Sequence, residues 1–353
     1  MHELRDQILC GDCVEILRRA EEPFADLVFA DPPFNIGYKY DKYHDSRASE
    51  KYLAWTRDWI GQCVRVLKPE GSIYIAIGDE YAAHIKLILE DEHQLTLRNW
   101  IIWHYTFGQQ TKTKFARSHT HILYFVKDAK QFTFNDDLVR VISDRQKKYR
   151  DSRAYPAGKI PDDVWNEYPR ICGTFTERTG HPCQMPESLL ARIIRTSSNE
   201  GDWVLDPFCG SGVTAAVAHK LGRRYTTFDL SEDYVEAARK RIAKFEDGGR
   251  RIEDGGQKTE DGRTRRSGED GQWSEHADAE LRWLFGENKI PRSQLCESRF
   301  LLTLFTKKLN QRLQKKCPYT PEQVSKRLGQ LGSSLSPFDV ANALEMEAPG
   351  VEG

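Results

Sequence analysis

The chain has 353 residues, with 52 Lys or Arg against 53 Asp or Glu, so its formal net charge is −1. This balance excludes a chain-wide affinity for polyanions, and any nucleic-acid surface must be local. The length suffices for one large domain and a smaller appendage. No stretch approaches the roughly 18 to 20 apolar residues of a membrane span, and residues 1–10 have no signal-peptide core, so we expect a soluble, cytoplasmic protein.

Apolar runs of strand length alternate with helical segments, which is typical of an α/β fold. The predicted strands are residues 6–10, 26–30, 72–77, 99–106, 121–126, 202–206 and 224–229. Apolar residues at helical spacing predict helices over residues 13–20, 49–67, 186–198, 212–222 and 231–245.

The cysteines do not form a metal-binding pattern. Cys10 and Cys13 make the one C-x-x-C, and no second pair follows at zinc spacing. We therefore expect reduced, mostly buried thiols and no metal site.

Composition divides the chain into three parts. Residues 1–246 carry the α/β pattern, within which residues 130–180 are less regular and strongly basic, as expected of an inserted recognition region. Residues 247–275 are Gly-rich and charged, which predicts a flexible linker. Residues 276–345 are predicted to form a small helical module, in which Thr320 to Gln323 has the pattern of a helix start.

A stiff polar corner follows the second predicted strand. The strand ends at Pro32 and Pro33, because neither proline can donate a hydrogen bond to a neighbouring strand. Asp31 and Phe34 are thereby held at the end of the strand. Taken alone, such a Pro-Pro pair is more often an ordinary loop.

A glycine-rich turn follows the sixth predicted strand, where Asp206 leads into the loop 209–212 and a helix. Glycines at this kind of turn let backbone N–H groups approach a ligand closely. Asp229 ends the next strand, about 20 residues later, where a carboxylate can accept hydrogen bonds from a ribose. The spacing also fits a nicotinamide cofactor, and Asp206 could simply cap the turn.

Eight segments in this order resemble the amino-group DNA methyltransferases of the β-type permutation, which methylate adenine N6 or cytosine N4 using S-adenosylmethionine. The resemblance covers nearly all of residues 6–244. The segments are "LCGDCVEIL", "LVFADPPFN", "RVLKPEGSIYIAIGD", "IIWHY", "RSHTHILYFVK", "GHPCQMPESLLARII", "DPFCGSGVT" and "FDLSEDYVEAARKRI".

The resemblance implies a Rossmann-like methyltransferase fold, with a mostly parallel seven-stranded sheet in circularly permuted order. The N-terminal strand would lie third, beside the strands that end at Asp206 and Asp229, so that Asp12 faces the adenine of the cofactor. The implied cofactor-binding residues are Asp12, Cys13, Asp31, His181, Pro182, Gln184, Asp206, Pro207, Phe208, Cys209, Gly210, Ser211, Gly212, Thr214, Asp229 and Leu230. Met185 stands where the family has Lys, so we expect somewhat weaker cofactor binding.

The resemblance also implies catalytic roles for Asp31, Pro32, Pro33 and Phe34. An exocyclic amine is a poor nucleophile, because its lone pair is delocalised into the ring. The Asp31 carboxylate and the carbonyl between the two prolines can accept its protons and favour a more nucleophilic geometry. Phe34, where the family often has Tyr, can stack on a base flipped out of the duplex.

Two basic groups are expected to contact duplex DNA. Their members are Lys112, Lys114, Arg117, Arg145, Lys147 and Lys148. The irregular region 130–180 is expected to read the target sequence. The C-terminal module is either a second DNA-binding element or a packing or dimer-forming appendage. Trp103, Tyr105 and Phe107 are expected in the core, with one of them lining the base pocket as an alternative.

The preferred function is adenine-N6 methylation, because Asp at the position of Asp31 is more usual in adenine enzymes of this family and Ser in cytosine-N4 enzymes. The first alternative is cytosine-N4 methylation. Two further alternatives are a non-catalytic DNA-binding regulator on this fold and a methyltransferase that acts on RNA or on a protein amide. Enzymes of the latter kind share the corner residue, Asp or Asn, but not this order of segments along the chain. A cognate restriction endonuclease, a homodimer and association with the nucleoid are further expectations.

Overall fold

The computed structural model describes residues 4–38, 41–43, 45–109, 112–149, 151, 153–171, 177–179, 181, 183–253, 273–313 and 318–331. The chain divides into two compact units. Unit 1 is Met1–Val139 with Pro161–Ile242, and unit 2 is Arg140–Ile160 with Ala243–Gly353. Within the described part of the chain, no helix is both long and apolar enough to cross a membrane.

Unit 1 is built on one eight-stranded sheet. Its strands are β1 (Gln7–Cys10), β2 (Ala25–Ala30), β3 (Leu67–Ile77), β4 (Thr96–Gln109), β5 (Arg117–Val126), β6 (Val164–Trp165), β7 (Trp203–Asp206) and β8 (Arg224–Asp229). Their order across the sheet is β1-β8-β7-β2-β3-β5-β4-β6. The first five in this order are parallel, β5 pairs antiparallel with both β3 and β4, and β6 is parallel to β4.

Twelve α-helices are described. They are α1 (Cys13–Leu17), α2 (Ser49–Val66), α3 (Asp79–Leu87), α4 (Asp136–Val139), α5 (Asp144–Tyr149), α6 (Glu187–Ser197), α7 (Val213–Lys220), α8 (Glu232–Glu253), α9 (Glu275–Asn288), α10 (Arg292–Glu297), α11 (Arg299–Leu313) and α12 (Pro321–Leu331). A π-helical turn, Ile88–Glu92, continues α3.

The core of unit 1 surrounds the central strands. β2 is buried along nearly its whole length, as expected of a parallel strand covered on both faces. From α2, Trp59 and Ile60 pack into this core with no exposed surface. The carboxyl ends of the parallel strands are therefore fixed points from which functional side chains can project.

The predicted fold is confirmed, and all seven predicted strands are present. β1 lies third after β7 and β8, as expected, and it pairs with β8, with Cys10 opposite Asp229. The sheet has eight strands rather than seven, because Val164–Trp165 pairs with Ile102 and Trp103 at the far edge. A two-residue strand has no alternating pattern to recognise, so its pairing is set by tertiary contacts.

The two units divide the chain differently from the predicted domains. The predicted boundary at residue 246 falls inside α8, which continues to Glu253 and so into the segment predicted as a linker. Starting a helix is costly, but each residue added to an existing helix gains a backbone hydrogen bond. A segment with few apolar residues can therefore continue a helix that it could not start. Residues 140–160, predicted as part of the methyltransferase domain, belong to unit 2. Residues 254–272 and 332–345 lie outside the described residues.

Unit 2 has its own apolar core, to which the segment 140–160 contributes Ile142. The segment is closed on itself by the bridge between Val141 and Lys159. Ile142 N–H donates to Asn288 Oδ1 at 2.8 Å, and Lys308 Nζ donates to the Arg140 carbonyl at 3.1 Å. Lys308 Nζ also donates to the Ala157 carbonyl, so the C-terminal helices hold both ends of this segment.

The helix start predicted at Thr320 is confirmed by its hydrogen bonds. Thr320 N–H donates to Gln323 Oε1 at 2.9 Å, and Gln323 N–H donates to Thr320 Oγ1 at 3.3 Å. This is a reciprocal capping box, and Pro321 occupies the first helical position, where its missing N–H costs nothing.

Candidate active site

Four carboxylates stand at or just after the carboxyl ends of neighbouring parallel strands. Asp12 follows β1, Asp31 follows β2, and Asp206 and Asp229 end β7 and β8. Such ends meet at one edge of the sheet, where open α/β sheets bind ligands. All four carboxylates line one cavity of about 720 Å³ in unit 1.

Most of the residues implied as catalytic or cofactor-binding line this same cavity. They are Asp12, Cys13, Asp31, Pro32, Pro33, Phe34, His181, Gln184, Asp206, Pro207, Phe208, Cys209, Gly210, Ser211, Thr214, Asp229 and Leu230. Gly212 lies outside the lining, and Pro182 lies outside the described residues. The structure thus brings together residues more than 200 positions apart in the chain.

A tyrosine holds the corner from Asp31 to Phe34 in place. The Tyr52 hydroxyl donates to the Pro33 carbonyl at 2.7 Å, and the Tyr52 side chain has no exposed surface. The Phe34 ring lies near Gly78, because a Cβ added there would be 3.4 Å from it, an ordinary van der Waals contact. The hydrogen bond from Tyr52 therefore fixes the backbone of the corner after β2.

Asn35, to which the sequence assigned no role, fixes the loop after Phe34. Its backbone lies in the left-handed region with φ +58°, which Asn tolerates better than most residues. Its side chain donates to the Arg47 carbonyl at 2.9 Å and the Tyr81 hydroxyl at 2.8 Å. Asp45, only 2% exposed, accepts from the Asn35 and Ile36 N–H groups. In the sequence, only the position of Asn35 directly after "DPPF" could have indicated this role.

The glycine loop takes a shape that other residues would resist. Gly210 and Gly212 have φ of +48° and +69°. A Cβ at Gly210 would come within 3.1 Å of the His181 ring, and one at Gly212 within 2.5 Å of Ala238 Cβ in α8. These glycines let the loop pass close to both neighbours.

Three of the carboxylates also fix local backbone. Asp229 accepts from Gly210 N–H and Ser231 N–H, both at 2.9 Å, so it ties the glycine loop to its own strand end. Asp206 accepts from Phe208 N–H at 2.9 Å, and Asp12 caps α1 by accepting from Val14 N–H at 2.7 Å. The alternative that Asp206 caps its turn is thus correct, and the same side chain lines the cavity.

Gln184 fixes the loop that carries His181. Its amide oxygen accepts from the Thr179 N–H at 2.8 Å and hydroxyl at 2.9 Å, and its amide nitrogen donates to the Glu177 carbonyl at 2.7 Å. The His181 ring stands edge-on to Tyr234, with ring centres 4.9 Å apart. Met185 is buried and lines the cavity, so an apolar side chain occupies the position of the family's Lys.

A buried ionic network supports the glycine loop from behind, and the sequence did not predict it. Arg241 in α8 donates to the Ser211 carbonyl at 3.1 Å and pairs with Glu187 at 2.7 Å. Lys220 pairs with the other oxygen of Glu187 at 2.7 Å, and Glu177 accepts from the Glu187 N–H. The two cations lower the pKa of Glu187 against the effect of burial, whereas burial and the Glu187 charge raise the pKa of Glu177 to about 7.

The cavity disfavours negative charge when it holds no cation. Burial, and secondarily Asp206, raise the pKa of Asp31 to about 8; burial raises the pKa of Asp206 to about 7 and also raises that of Asp229. Asp31 is half-buried, and what it exposes belongs to the cavity wall. Burial lowers the pKa of His181 to about 4, so this imidazole is neutral. A ligand with positive charge would complement these carboxylates.

The aromatic strand β4 contributes to both core and cavity. Trp103 is 4% exposed, and its indole N–H donates to the Tyr168 carbonyl at 2.8 Å. The Tyr105 hydroxyl donates to the His119 carbonyl at 3.1 Å, and Trp103 and Tyr105 also line the cavity. Core packing and pocket lining therefore coexist, whereas the Phe107 side chain lies outside the described residues.

The residues expected to contact DNA differ in their exposure and in the carboxylates and carbonyls with which they already interact. Arg117 pairs with Asp79 at 2.8 Å and with Glu80. Arg145 pairs with Asp151 at 2.7 Å, and Lys147 donates to the Asn288 carbonyl. The residues with exposed side chains are Lys112, Lys114, Arg145 and Lys148. In the described residues, no cluster of His, Cys, Asp or Glu has the arrangement of a metal site.

A family description of DNA methylases, covering adenine-N6 and cytosine-N4 enzymes, matches residues 25–240. The chain is 39% identical to the type II methyltransferase M.HpaI of Haemophilus parainfluenzae over 67% of this chain and 74% of that protein. It is 37% identical to the DNA adenine methyltransferase YhdJ of Escherichia coli K12, over 67% of this chain and 82% of that protein.

A solved structure supports the fold at lower identity. The cytosine-N4-specific PvuII DNA methyltransferase matches with a TM-score of 0.54 and 19% identity, over 67% of this chain and 86% of that one. Because the family match spans more than half of the chain and contains the corner from Asp31 to Phe34 and the glycine loop, the chain belongs to the N6/N4 DNA methylase family and is an S-adenosylmethionine-dependent DNA methyltransferase.

Proposed function

We propose that this enzyme methylates the exocyclic N6 amine of adenine in duplex DNA. The observation that carries the proposal is the placement of Asp31, Pro32 and Phe34 in one cavity with the glycine loop. Asp at the first position of the corner is more usual in adenine enzymes of the family. The relative from E. coli is also named a DNA adenine methyltransferase.

The residues present fit the cofactor. The glycine loop offers close backbone approach at Gly210, and the carboxylates of Asp206 and Asp229 have raised pKa values that a cationic ligand would lower. When bound, S-adenosylmethionine supplies the methyl group. Asp12 and Asp229 would hold its nucleoside end, and the loop from Asp206 to Ser211 its charged end.

The target amine is held by Asp31 and by the Pro32 carbonyl in this proposal. The Pro33 carbonyl already accepts from Tyr52, which leaves the carbonyl between the two prolines as the second acceptor. Two acceptors aimed at the amine protons stabilise the positive charge that develops on nitrogen in the transition state. Tyr52 acts as a positioning residue, because it touches the corner rather than the base.

Burial also suits Asp31 to accept a proton. A methylated amine must lose one proton to become neutral, and burial raises the pKa of Asp31, so its ionised carboxylate is a stronger base than an exposed one. Asp31 is thus an acceptor of hydrogen bonds before methyl transfer and an acceptor of the proton after it. Phe34 would stack on the flipped ring at the same corner.

Target recognition is proposed for unit 2. Its segment 140–160 carries exposed cations at Arg145, Lys148 and Arg153, and the C-terminal helices fix its base through Asn288 and Lys308. This gives the C-terminal module a role as a support for the recognition segment. A cognate restriction endonuclease, a homodimer and nucleoid association stay predictions.

The test uses DNA from cells that express the chain in a background without DNA methylation. Nucleosides are measured by mass spectrometry, and modification-detecting sequencing reports the site. We expect N6-methyladenine at one short sequence, whereas N4-methylcytosine alone would contradict the assignment of the base. Asp31→Ala should abolish methylation and largely retain cofactor binding, measured by calorimetry.

Asp58→Ala is the matched control, because this carboxylate is exposed on α2 away from the cavity lining. It should methylate DNA at the wild-type rate. If Asp31→Ala also retained that rate, the proposed role of the corner would be wrong.

A further inference from the structure

One apolar side chain is exposed almost completely. Phe115, between β4 and β5, exposes 99% of its surface, compared with 75% for Tyr149, the next most exposed large apolar residue described. A single exposed apolar side chain is common and does not by itself indicate a partner, so the position and the neighbours of Phe115 decide its role.

The loop that carries Phe115 stands at the rim of the cavity. Its neighbour Lys114 lines the cavity, as does Arg117 two residues further. A Cβ built at Gly78 would lie 3.7 Å from the Arg117 guanidinium and 3.4 Å from the Phe34 ring, so these two side chains are neighbours. Consecutive Cα atoms are about 3.8 Å apart, so Phe115 is close to the entrance on the Phe34 side.

The base of the loop is fixed although its tip is exposed. β4 and β5 pair in register up to His104 and His119, and the pairing resumes between Gln109 and Arg117. Arg117 is further tied to Asp79 and Glu80 at the start of α3. Arg117, two residues after Phe115, is therefore fixed against the start of α3.

The charge of the tip indicates what that partner is. Residues 112–116 are all exposed, and they include Lys112 and Lys114 but no acidic residue. An apolar ring flanked by lysines is complementary to a nucleic acid, whose phosphates attract the cations and whose bases stack on the ring.

We propose that Phe115 enters the DNA duplex next to the target base and occupies the space that the base leaves when it flips into the cavity. The inference rests on the proposed function, since it requires a duplex substrate. Apolar side chains that wedge between base steps stabilise distorted DNA, and here the wedge would offset the stacking lost by the flipped base. Phe115 is a positioning residue, because it acts on the extruded state and not on the amine.

The test compares Phe115→Ala with wild type on two duplexes that carry the sequenced target site. In one the target base is normally paired, and in the other it faces an abasic position, where extrusion is easier. We expect single-turnover methylation by Phe115→Ala to fall about 10- to 100-fold on the paired duplex, the equivalent of about 1–3 kcal/mol of stacking. On the abasic duplex it should return to within about threefold of wild type.

Two controls separate this role from others. Lys112→Ala should raise KM by similar factors on both duplexes, because a phosphate contact does not depend on pairing. Leu87→Ala removes another exposed apolar side chain, at the end of α3, and should behave as wild type on both.

Three outcomes would overturn the inference. Equal losses for Phe115→Ala on both duplexes, or no loss on either, would exclude a wedge. Wild-type activity on DNA combined with a concentration-dependent dimer that Phe115→Ala abolishes would assign the ring to a second copy of the chain. Absence of methylation by wild type on either duplex would refute the proposed function itself.

Discussion

Units 1 and 2 both bury charged side chains, but the two units use them differently. In unit 1, Asp31 and Asp206 line a cavity, and burial raises the pKa of both carboxyl groups. In unit 2, Arg312 pairs with Glu287 in the helical core, where both side chains are at most 2% exposed. Lys308 donates to backbone carbonyls of the segment 140–160. The buried carboxylates of unit 1 are thus placed to interact with a ligand, whereas the buried charges of unit 2 are paired with one another or with backbone carbonyls and stabilise the unit.

This contrast predicts that the stability of unit 2 can be lowered without loss of the cofactor site. Phe305 in α11 has no exposed surface, so Phe305→Ala should lower the free energy of unfolding by about 3–5 kcal/mol. Phe300→Ala, in the same helix at 43% exposure, should cost about 1 kcal/mol or less. Urea unfolding gives both values, and calorimetry should show unchanged cofactor affinity. A parallel loss of cofactor affinity would contradict the separation of roles.

Replacing Gly by Ala should change the free energy of unfolding in opposite directions in the two units. Gly212→Ala places a Cβ 2.5 Å from Ala238 at a left-handed backbone position, which should cost about 2–4 kcal/mol and weaken cofactor binding. Gly329→Ala lies in α12 with nothing within 4 Å of its Cβ, and should stabilise by up to about 1 kcal/mol. Thermal unfolding with and without cofactor distinguishes them. Destabilisation by both changes would show that steric contact is not the cause.

Adjacent lysines in α11 sharpen the comparison further. Lys308 is 7% exposed and donates to the Arg140 and Ala157 carbonyls, whereas Lys307 is exposed. Lys308→Met should cost about 1–3 kcal/mol and raise KM for DNA, while cofactor affinity stays constant. Lys307→Met removes the same charge and should change stability by about 0.5 kcal/mol or less. If both variants raised KM equally, charge rather than support of the segment would explain the effect.

Local patterns predicted the parts of unit 1 that depend on nearby residues. The strands, the corner from Asp31 to Phe34 and the glycine loop each show in a short run of sequence, and the structure places the corner and most of the loop in one cavity. The capping box at Thr320 was predictable for the same reason, since its partner is three residues away.

Contacts between distant residues could not be predicted in this way. Tyr52 supports Pro33 from 19 residues away, and Arg241 reaches Glu187 across 54. The attachment of residues 140–160 to helices more than 100 positions later depends on packing in unit 2. Such partners are chosen by the folded geometry, and neither spacing nor composition records them.

The last prediction concerns the carboxylates of the cavity and gives the direction in which stability changes with pH. The pKa of Asp31 is about 8 in the folded protein, above the usual value, so the folded state binds more protons than the unfolded state between about pH 4 and 8. Stability of the cofactor-free protein should therefore fall as pH rises through this window.

Asp31→Asn tests this sign directly, since an amide does not titrate. Without cofactor, the variant should be more stable than wild type at pH 8.5 and about equal to it at pH 5, although it is expected to be inactive. Thermal unfolding across this range measures the difference, with Asp58→Asn on the surface as the matched control. S-adenosylmethionine should reduce the pH dependence of wild type, because a bound cation stabilises the ionised carboxylates. A wild type that gains stability from pH 5 to 8.5 relative to Asp31→Asn would show that the Asp31 charge is already compensated by the protein, and would remove the basis for distinguishing the two units.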